Sequence, residues 1–282
     1  MGVPADQSDP GDLWAIVRSE GDPVRRFQLA GQLRARLQQF DVEVSRLRRQ
    51  AIDEAAANGI APSQFARLVN LSRGRISQIR GAGPAVEREF FGVGPVEVGI
   101  PERSLPGRAM PGYAAEDVEA RVELARLLAD LVFDVDLVGI PDVWQPSAGH
   151  DLVAICGPKS SATIAQILAT DPVWTFTTSG QGRWSLTNNQ TGENLTSPAD
   201  DPEPVPADIA YLGRLRFDRS RTVVVIAGIH AIGSLGAVHY LADNLPGLYR
   251  HVGANLFSTV ITSSHDGLRI THSDHACQPT LH

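Results

Sequence analysis

The chain has 282 residues, of which 43% are hydrophobic, and a formal net charge of −7. The length exceeds one typical domain, and the composition is that of a globular protein with enough apolar residues for a core. No stretch reaches the roughly 20 apolar residues of a membrane span. The two cysteines are too few for a disulfide framework, and the polar N-terminus lacks an apolar signal-peptide segment. We therefore expect a cytoplasmic protein that does not enter a membrane.

The charge is unevenly distributed along the chain. Residues 1–90 contain 13 Arg and 11 Asp or Glu, a net +2, whereas residues 91–282 contain 12 Lys or Arg and 21 Asp or Glu, a net −9. A basic N-terminal segment followed by an acidic remainder is compatible with a nucleic-acid-binding module joined to another domain. The predicted division is a flexible N-terminus (1–22), a helical domain (23–90) and an α/β domain (91–282), separated by a Gly/Pro-rich connector.

Residues 23–58 have the pattern of one long helix. Asp22 and Pro23 provide an N-cap followed by proline at the first helical position, and Asn58 with Gly59 is a C-terminal stop. Two interpretations of its apolar seam are open: the seam packs within the chain on the following helices, or it forms a dimerisation helix. The seam has the alternating spacings of three and four found at a and d positions of heptads, in Ala30, Leu33, Leu37, Phe40, Val44, Leu47 and Ala51.

Residues 62–80 contain the residue types that two steeply crossing helices require. Ala66 offers a small side chain at the contact between the helices, and Asn70, four residues on, tolerates the left-handed conformation of a turn. Ser72 is a favourable N-cap for the second helix. The apolar residues expected to point into the core of this segment are Phe65, Val69, Leu71, Ile76 and Ile79.

Residues 44–80 resemble the helix-turn-helix superfamily, and the stretch 72–79 is similar to the recognition helix of bacterial transcription regulators. The segment departs from the common pattern at Asn70, where glycine is usual, and at Gly74, which weakens the helix by up to about 1 kcal/mol. The resemblance implies binding to double-stranded DNA, with the second helix in the major groove. The residues expected to contact bases or phosphates are Ser72, Arg73, Arg75, Ser77, Gln78, Arg67 and Arg80, with Arg46, Arg48 and Arg49 as further phosphate contacts.

Residues 91–282 alternate strand and helix patterns, which predicts an α/β domain with a three-layer, mostly parallel, Rossmann-like sheet. Strands are predicted at 96–100, 135–140, 151–156, 222–227 and 257–263, with a short strand pair at 174–177 and 184–187. Helices are predicted at 116–131, 160–169 and 233–244. Residues 194–206 are expected to form an exposed loop, and the C-terminal histidines to be solvated in a frayed end rather than to bind a metal.

Two turns from a predicted strand into a predicted helix are candidates for a ligand site. At the first, Ser160 opens a helix whose unpaired amides, together with Lys159, suit an anion. The second, Gly-x-His-x-x-Gly-x-x-Gly at residues 228–236, departs from a dinucleotide fingerprint because His230 replaces a glycine. If both turns follow neighbouring strands, they flank one crevice. The residues expected to meet a small anionic or nucleotide-like ligand are Gly157, Lys159, Ser160, Ser161, Tyr211, Arg214, His230, Gly233 and Ser234.

These patterns predict a sequence-specific DNA-binding transcriptional regulator, forming a homodimer, whose α/β domain senses a small anionic ligand without a cofactor or metal. One alternative is an enzyme or nucleotide-processing effector on a DNA-binding or assembly module, with His230 as general base or Cys156 as nucleophile. The other alternative is a non-catalytic interaction scaffold. An enzyme requires an acid or nucleophile beside His230 or Cys156, a sensor requires a crevice with cations, and a scaffold would have both turns closed by packing.

Overall fold

The computed structural model describes residues 10–107, 109–180, 182–219 and 221–282. The N-terminal part is helical, and α2 is 35 residues long. Asp22 caps α2 as predicted, since its side chain accepts a hydrogen bond from the Val24 amide (3.0 Å), and Pro23 takes the first position. The helices of this part are α1 (Pro10–Ser19), α2 (Pro23–Ala57), α3 (Pro62–Leu68) and α4 (Arg73–Ala82).

Helix α1 lies in the segment predicted to be a flexible N-terminus. Leu13 and Val17, one helical turn apart, are buried against Leu29 and Leu33 of α2. Residues 10–19 are therefore an ordered helix, and the prediction is wrong for them. Residues 1–9 lie outside the described residues.

Strands and helices alternate through the rest of the chain, with short 3₁₀ helices at Val86–Phe90 and Pro198–Asp200. The elements in chain order are β1 (Val96–Pro101), α5 (Ala115–Asp130), β2 (Val135–Ile140), β3 (Asp151–Ile155), α6 (Ala162–Leu168), β4 (Trp174–Thr178), β5 (Trp184–Asn188), β6 (Asn194–Thr196), β7 (Ala207–Arg216), β8 (Thr222–Gly228), α7 (Ala231–Val252), β9 (Phe257–Asp266) and β10 (Arg269–Leu281).

The predicted α/β class is confirmed, with a seven-stranded sheet in the order β10–β9–β7–β8–β3–β1–β2. The half formed by β8, β3, β1 and β2 is parallel. In the other half β7 is antiparallel to both of its neighbours and β10 is antiparallel to β9. The predicted strand pair is also present, as β4 and β5 of an antiparallel sheet of three strands.

Side chains that alternate along the buried strands build a core on each face of the large sheet. On β8, Val224 and Ile226 face the core shared with α5 and α7. Val223 and Val225 face the core shared with α6 and the small sheet. Because both faces are covered, β8 is apolar at consecutive positions, as expected of a strand in the middle of a layered sheet.

Three strands lie outside the predicted elements. Strand β6 begins within the predicted loop 194–206, β7 follows it, and β10 occupies the end predicted to be frayed. His275 of β10 is hydrogen-bonded to Tyr240 Oη (2.5 Å) and to Thr259 Oγ1 (3.2 Å). The prediction of a frayed end is wrong because β10 is an edge strand, held largely by backbone pairing with β9, so its side chains remain mostly polar and partly exposed.

A buried arginine joins the helical part to the sheet. Arg88, between α4 and β1, is 0% exposed. It donates hydrogen bonds to Gln39 Oε1 (2.8 Å) and to the carbonyl oxygens of Leu131 (2.7 Å) and Val93 (2.5 Å), and its guanidinium lies 3.6 Å from the Phe133 ring centroid. Burial lowers the pKa of Arg88 to about 10, so the side chain stays charged at neutral pH. We call this group of contacts the Arg88 clasp.

Arg88→Met is expected to lower the free energy of unfolding by about 3 kcal/mol, because the oxygen atoms of the clasp would lose their buried donor. Urea unfolding followed by tryptophan fluorescence measures the change. Arg126→Met, at an exposed position of α5, is the matched control and should change the value by less than about 0.5 kcal/mol. An unchanged unfolding free energy for Arg88→Met would contradict the structural importance of the clasp.

Candidate functional site

Helices α2, α3 and α4 meet at three buried side chains. Ile52 of α2, Ala66 of α3 and Ile76 of α4 form a small core, and Phe65 and Ile79 pack against it. Ala66 is only 3% exposed. Its methyl group lets the backbones of α3 and α4 approach closely, which is the place predicted for a small residue.

The chain turns from α3 into α4 at Asn70, which has a φ of 55°. The Leu71 amide donates to the Ala66 carbonyl oxygen (2.9 Å) and closes the turn. Ser72 Oγ then accepts a hydrogen bond from the Arg75 amide (3.1 Å) and caps α4. The left-handed residue and the N-cap therefore fall at the predicted positions.

The face of α3 and α4 that points away from this core is basic. Residues 62–82 contain four Arg and no Asp or Glu. Arg80 is partly neutralised by an ion pair with Asp53 of α2 (2.6 Å). The side chains predicted to contact DNA are all exposed, namely Ser72, Arg73, Arg75, Ser77, Gln78, Arg67 and Arg80.

Four other side chains of this part differ from their predicted positions. Val69 and Leu71, expected in the core, are 42% and 38% exposed. Arg46, expected to contact phosphate, is buried and hydrogen-bonded to Glu43 (2.7 Å). Arg49 donates to the carbonyl oxygens that follow α4 (2.8 and 3.2 Å). The phosphate prediction for Arg46 is wrong because its side chain is buried, and that for Arg49 is wrong because its half-buried guanidinium is turned to these carbonyl oxygens, whereas Arg80 remains exposed beside Asp53.

A second candidate site is a crevice of about 250 Å³ at the carboxyl ends of β1, β3 and β8. Strands β3 and β8 are parallel neighbours, so the turns that follow them lie side by side, as predicted. Five of the predicted ligand residues line the crevice: Gly157, Lys159, Ser160, His230 and Ser234.

The helix amides beside the crevice are already bound by carboxylates of the chain. Asp208, at the start of β7, accepts hydrogen bonds from the amides of His230 (2.9 Å) and Gly233 (3.0 Å). Burial raises the pKa of Asp208, and the hydrogen bonds that it accepts oppose this rise. At α6, Asp142 accepts from the Ala162 amide (2.9 Å). These three amides are therefore not free to bind an anion, and the expectation that they receive one is wrong.

Four predicted ligand residues lie outside the crevice lining, and one of them, Gly233, has its amide bound by Asp208. Ser161 Oγ donates to a carbonyl oxygen of the loop after β2 (3.0 Å). Tyr211 is fully buried, and its hydroxyl donates to Asp171 (2.7 Å). Arg214 donates to three carbonyl oxygens at the opposite end of the sheet. The prediction for Arg214 is wrong because β7 is antiparallel to β8, which carries Arg214 away from the crevice. The prediction for Tyr211 is wrong because its side chain is buried and its hydroxyl is bound to Asp171.

The crevice also contains residues that the sequence analysis missed. Arg103 Nη2 lies 3.0 Å from Asp117 Oδ2, and burial raises the pKa of Asp117 while this ion pair opposes the rise. Phe176 and Trp184 of the small sheet form an aromatic wall, with ring centroids 6.3 Å apart at 69°. Arg103 could have been found, since it comes two residues after β1 and the ends of parallel strands are common ligand sites.

The two residues considered for catalysis have different surroundings. Burial raises the pKa of Cys156 to about 12, so the thiol is protonated at neutral pH and is a poor nucleophile. His230 Nε2 lies 3.2 Å from Asp200 Oδ1, which is the acid neighbour that an enzyme requires. Among the described residues no hydrogen bond joins the Ser234 hydroxyl to the His230 ring; Ser234 Oγ accepts from the Gly228 amide (2.9 Å). A paired nucleophile and base is therefore not formed by these residues.

No protein-family model, curated protein or solved structure matched this chain. Within the described ranges, none of the helices combines the length and the apolar character needed to cross a membrane. Across the same residues, no three His, Cys, Asp or Glu side chains are grouped so as to hold a metal ion. The two sites are thus defined by their own geometry.

Cys156 is expected to resist alkylation in the folded protein, because its buried thiol has a strongly raised pKa and little access to solvent. Iodoacetamide treatment of a Cys277→Ser variant, followed by mass spectrometry, should leave Cys156 unmodified until the protein is unfolded. The matched variant Cys156→Ser retains the partly exposed Cys277, which should react faster. Rapid alkylation of folded Cys156 would instead support a nucleophile.

Proposed function

We propose that this protein binds double-stranded DNA through α3 and α4 and acts as a sequence-specific transcriptional regulator. One observation carries the proposal: two helices cross at a buried Ala66, turn at a left-handed Asn70 and present an exposed basic face. This geometry supports the resemblance of residues 44–80 to the helix-turn-helix superfamily. The proposal includes a cytoplasmic location, where such a regulator would reach its DNA.

In this proposal α4 enters the major groove with its N-terminal residues towards the bases. Arg73 and Arg75 suit guanine, to which arginine donates two hydrogen bonds, and Gln78 suits adenine. Arg67 and Arg80 are placed to contact phosphates, which adds affinity without sequence choice. The absence of acidic residues from 62–82 favours the approach of a polyanion.

The crevice supports an effector site for a small anionic or nucleotide-like ligand. Lys159, Arg103 and His230 can interact with negative charge, and Trp184 offers a flat apolar surface to a ring. A Rossmann-like role for the parallel strands belongs to this part of the proposal, since such sheets bind ligands at the carboxyl ends of their strands. The ligand would regulate DNA binding by favouring one of two conformations.

The enzyme alternative is supported by the contact between His230 and Asp200, which would orient a general base. The protonated, buried Cys156 disfavours the nucleophile that this alternative also needs. An interaction scaffold is disfavoured because the crevice between the two turns is open. A ligand sensor therefore accounts for more of the side chains that line the crevice than an enzyme or a scaffold does.

Arg73→Ala and Arg75→Ala are each expected to weaken binding to a preferred sequence by about 1–3 kcal/mol, or roughly 5- to 150-fold. The preferred sequence is first selected with the purified full-length protein from fragmented genomic DNA, and affinities are then measured by fluorescence anisotropy. Arg34→Ala, at an exposed position of α2 remote from α4, is the control and should bind like the unmodified protein.

Two outcomes would contradict DNA recognition by α4. One is a failure of the selection to enrich any sequence. The other is unchanged affinity in the double variant Arg73→Ala/Arg75→Ala.

Lys159→Ala is expected to abolish the response to an anionic ligand while leaving DNA binding without ligand unchanged, because Lys159 lies in the crevice and α4 does not. Thermal unfolding is measured with nucleoside mono-, di- and triphosphates, and with inorganic phosphate as the anion alone. Arg250→Ala, an exposed change on α7, is the control. A nucleotide that raises the unfolding temperature of the Lys159→Ala variant as much as that of the unmodified protein would rule out this site.

A further inference from the structure

The apolar seam of α2 is largely exposed. Leu37, Val44 and Leu47 are 52%, 51% and 49% exposed, although they occupy a and d positions of successive heptads. The seam member Leu33 is covered by α1. We call Leu37, Val44 and Leu47 the exposed seam. Side chains of this kind in a heptad pattern are typical of a helix that packs against another helix.

The chain itself does not cover the exposed seam, because α2 uses a different stripe for its internal contacts. Gln39 and Arg46 face the connector and the sheet domain, and Ile52 packs on α3 and α4. This disfavours the interpretation in which the seam packs within the chain on the following helices, and it leaves the dimerisation interpretation.

An apolar groove lies beside the C-terminal end of the exposed seam. It has a volume of about 460 Å³. Ala51, the next a position after Val44, lies at its edge, about 21 Å along the helix from Leu37. We call it the head groove, and it is lined by Arg48, Ala51, Ile52, Phe65, Val69, Leu71, Ile76 and Ile79.

We propose that a second copy of this chain covers the exposed seam and the head groove, with the two α2 helices antiparallel about a two-fold axis. With Val44 opposite Leu47 of the second copy, Phe40 of each helix lies opposite Ala51 at the edge of the other copy's head groove. Phe40 lies towards the N-terminal end of α2 and the head groove lies at its C-terminal end. Each can therefore meet the other across the interface only if the two helices are antiparallel. A two-fold interface requires such self-complementarity.

The charges beside the seam support the same orientation. Asp41 and Arg48 are exposed and seven residues apart on one line of α2, so an antiparallel pair places each Asp41 opposite Arg48 of the other copy. A parallel pair would instead place Asp41 opposite Arg36 and Arg48 opposite Glu43. Those two side chains are engaged within the chain, Glu43 with Arg46 (2.7 Å) and Arg36 with the Gly149 carbonyl oxygen.

A dimer of this kind deepens the proposed function, on which its role in DNA recognition rests, but the test of the dimer does not depend on DNA binding. A two-fold axis between the α2 helices would relate the two copies of α4, which is how dimeric helix-turn-helix proteins match pseudopalindromic sites. The mass of the protein in the absence of DNA tests the dimer alone.

Sedimentation equilibrium of the full chain at micromolar concentration should give twice the monomer mass of 30.3 kDa. Leu47→Glu should raise the dimer dissociation constant at least about 100-fold, because it places two acids in the centre of an apolar interface. Gln38→Glu, an exposed change of one charge on the same helix but off the seam, should leave the constant unchanged. Circular dichroism establishes that both variants are folded.

A charge exchange tests the orientation and remains informative if Leu47→Glu fails to fold. Asp41→Arg and Arg48→Asp should each weaken the dimer about 10-fold, since each creates two like-charge contacts. The double variant Asp41→Arg/Arg48→Asp should restore it. Failure of the double variant to restore the dimer would overturn the antiparallel arrangement.

A monomeric unmodified chain, or a Leu47→Glu variant that dimerises normally, would overturn the proposed dimer. Neither result would bear on the ability of a single copy of α4 to bind DNA. Conversely, a normal dimer that selects no DNA sequence would overturn the proposed function and leave the dimer intact.

Discussion

The arrangement of this protein depends on one buried positive charge. Removing a guanidinium from water is costly, and the Arg88 clasp offsets this cost with three oxygen atoms and the face of Phe133. Because these partners come from α2, the connector and the segment after α5, the clasp holds the long helix at a defined position on the sheet domain. Asp151 adds to it by accepting hydrogen bonds from the amides of Val93 (2.7 Å) and Gly94 (2.6 Å).

The clasp and the crevice lie at opposite ends of the same strands. Asp151 begins β3 next to the clasp, whereas Cys156 and Gly157 follow β3 at the crevice. A ligand in the crevice is thus about one strand length, roughly 17 Å, from the contacts that hold α2. Within the proposed function, a signal between the sites would require a small shift of β1 or β3 relative to the connector, and the rigid packing of the two cores favours movement of whole elements.

Sequence patterns predicted the features that depend on near neighbours in the chain. The turn at Asn70, the cap at Ser72 and the buried run of β8 each follow from the properties of a few consecutive residues. Prediction failed where a distant partner decides the outcome. In the sequence nothing distinguishes Arg46 from an exposed arginine, but in the fold Glu43 and Gln50 bind it. Arg214 lies away from the crevice because β7 is antiparallel to β8, and no local sequence pattern indicates the direction of a strand.

The amino-acid sequence by itself determined the α/β class, the long α2, the basic helix pair and the two turns that meet at the crevice, because helix periodicity, caps and turn residues act over a few positions. Only the tertiary structure decided which hydrogen-bond donors are already bound and which side chains are buried. In the fold the amides of His230 and Gly233 donate to Asp208. Arg46 and Arg88 are buried, whereas the exposed seam remains accessible to solvent. The physical reason is that hydrogen bonding and burial depend on side chains that are far apart in sequence and are brought together only by packing.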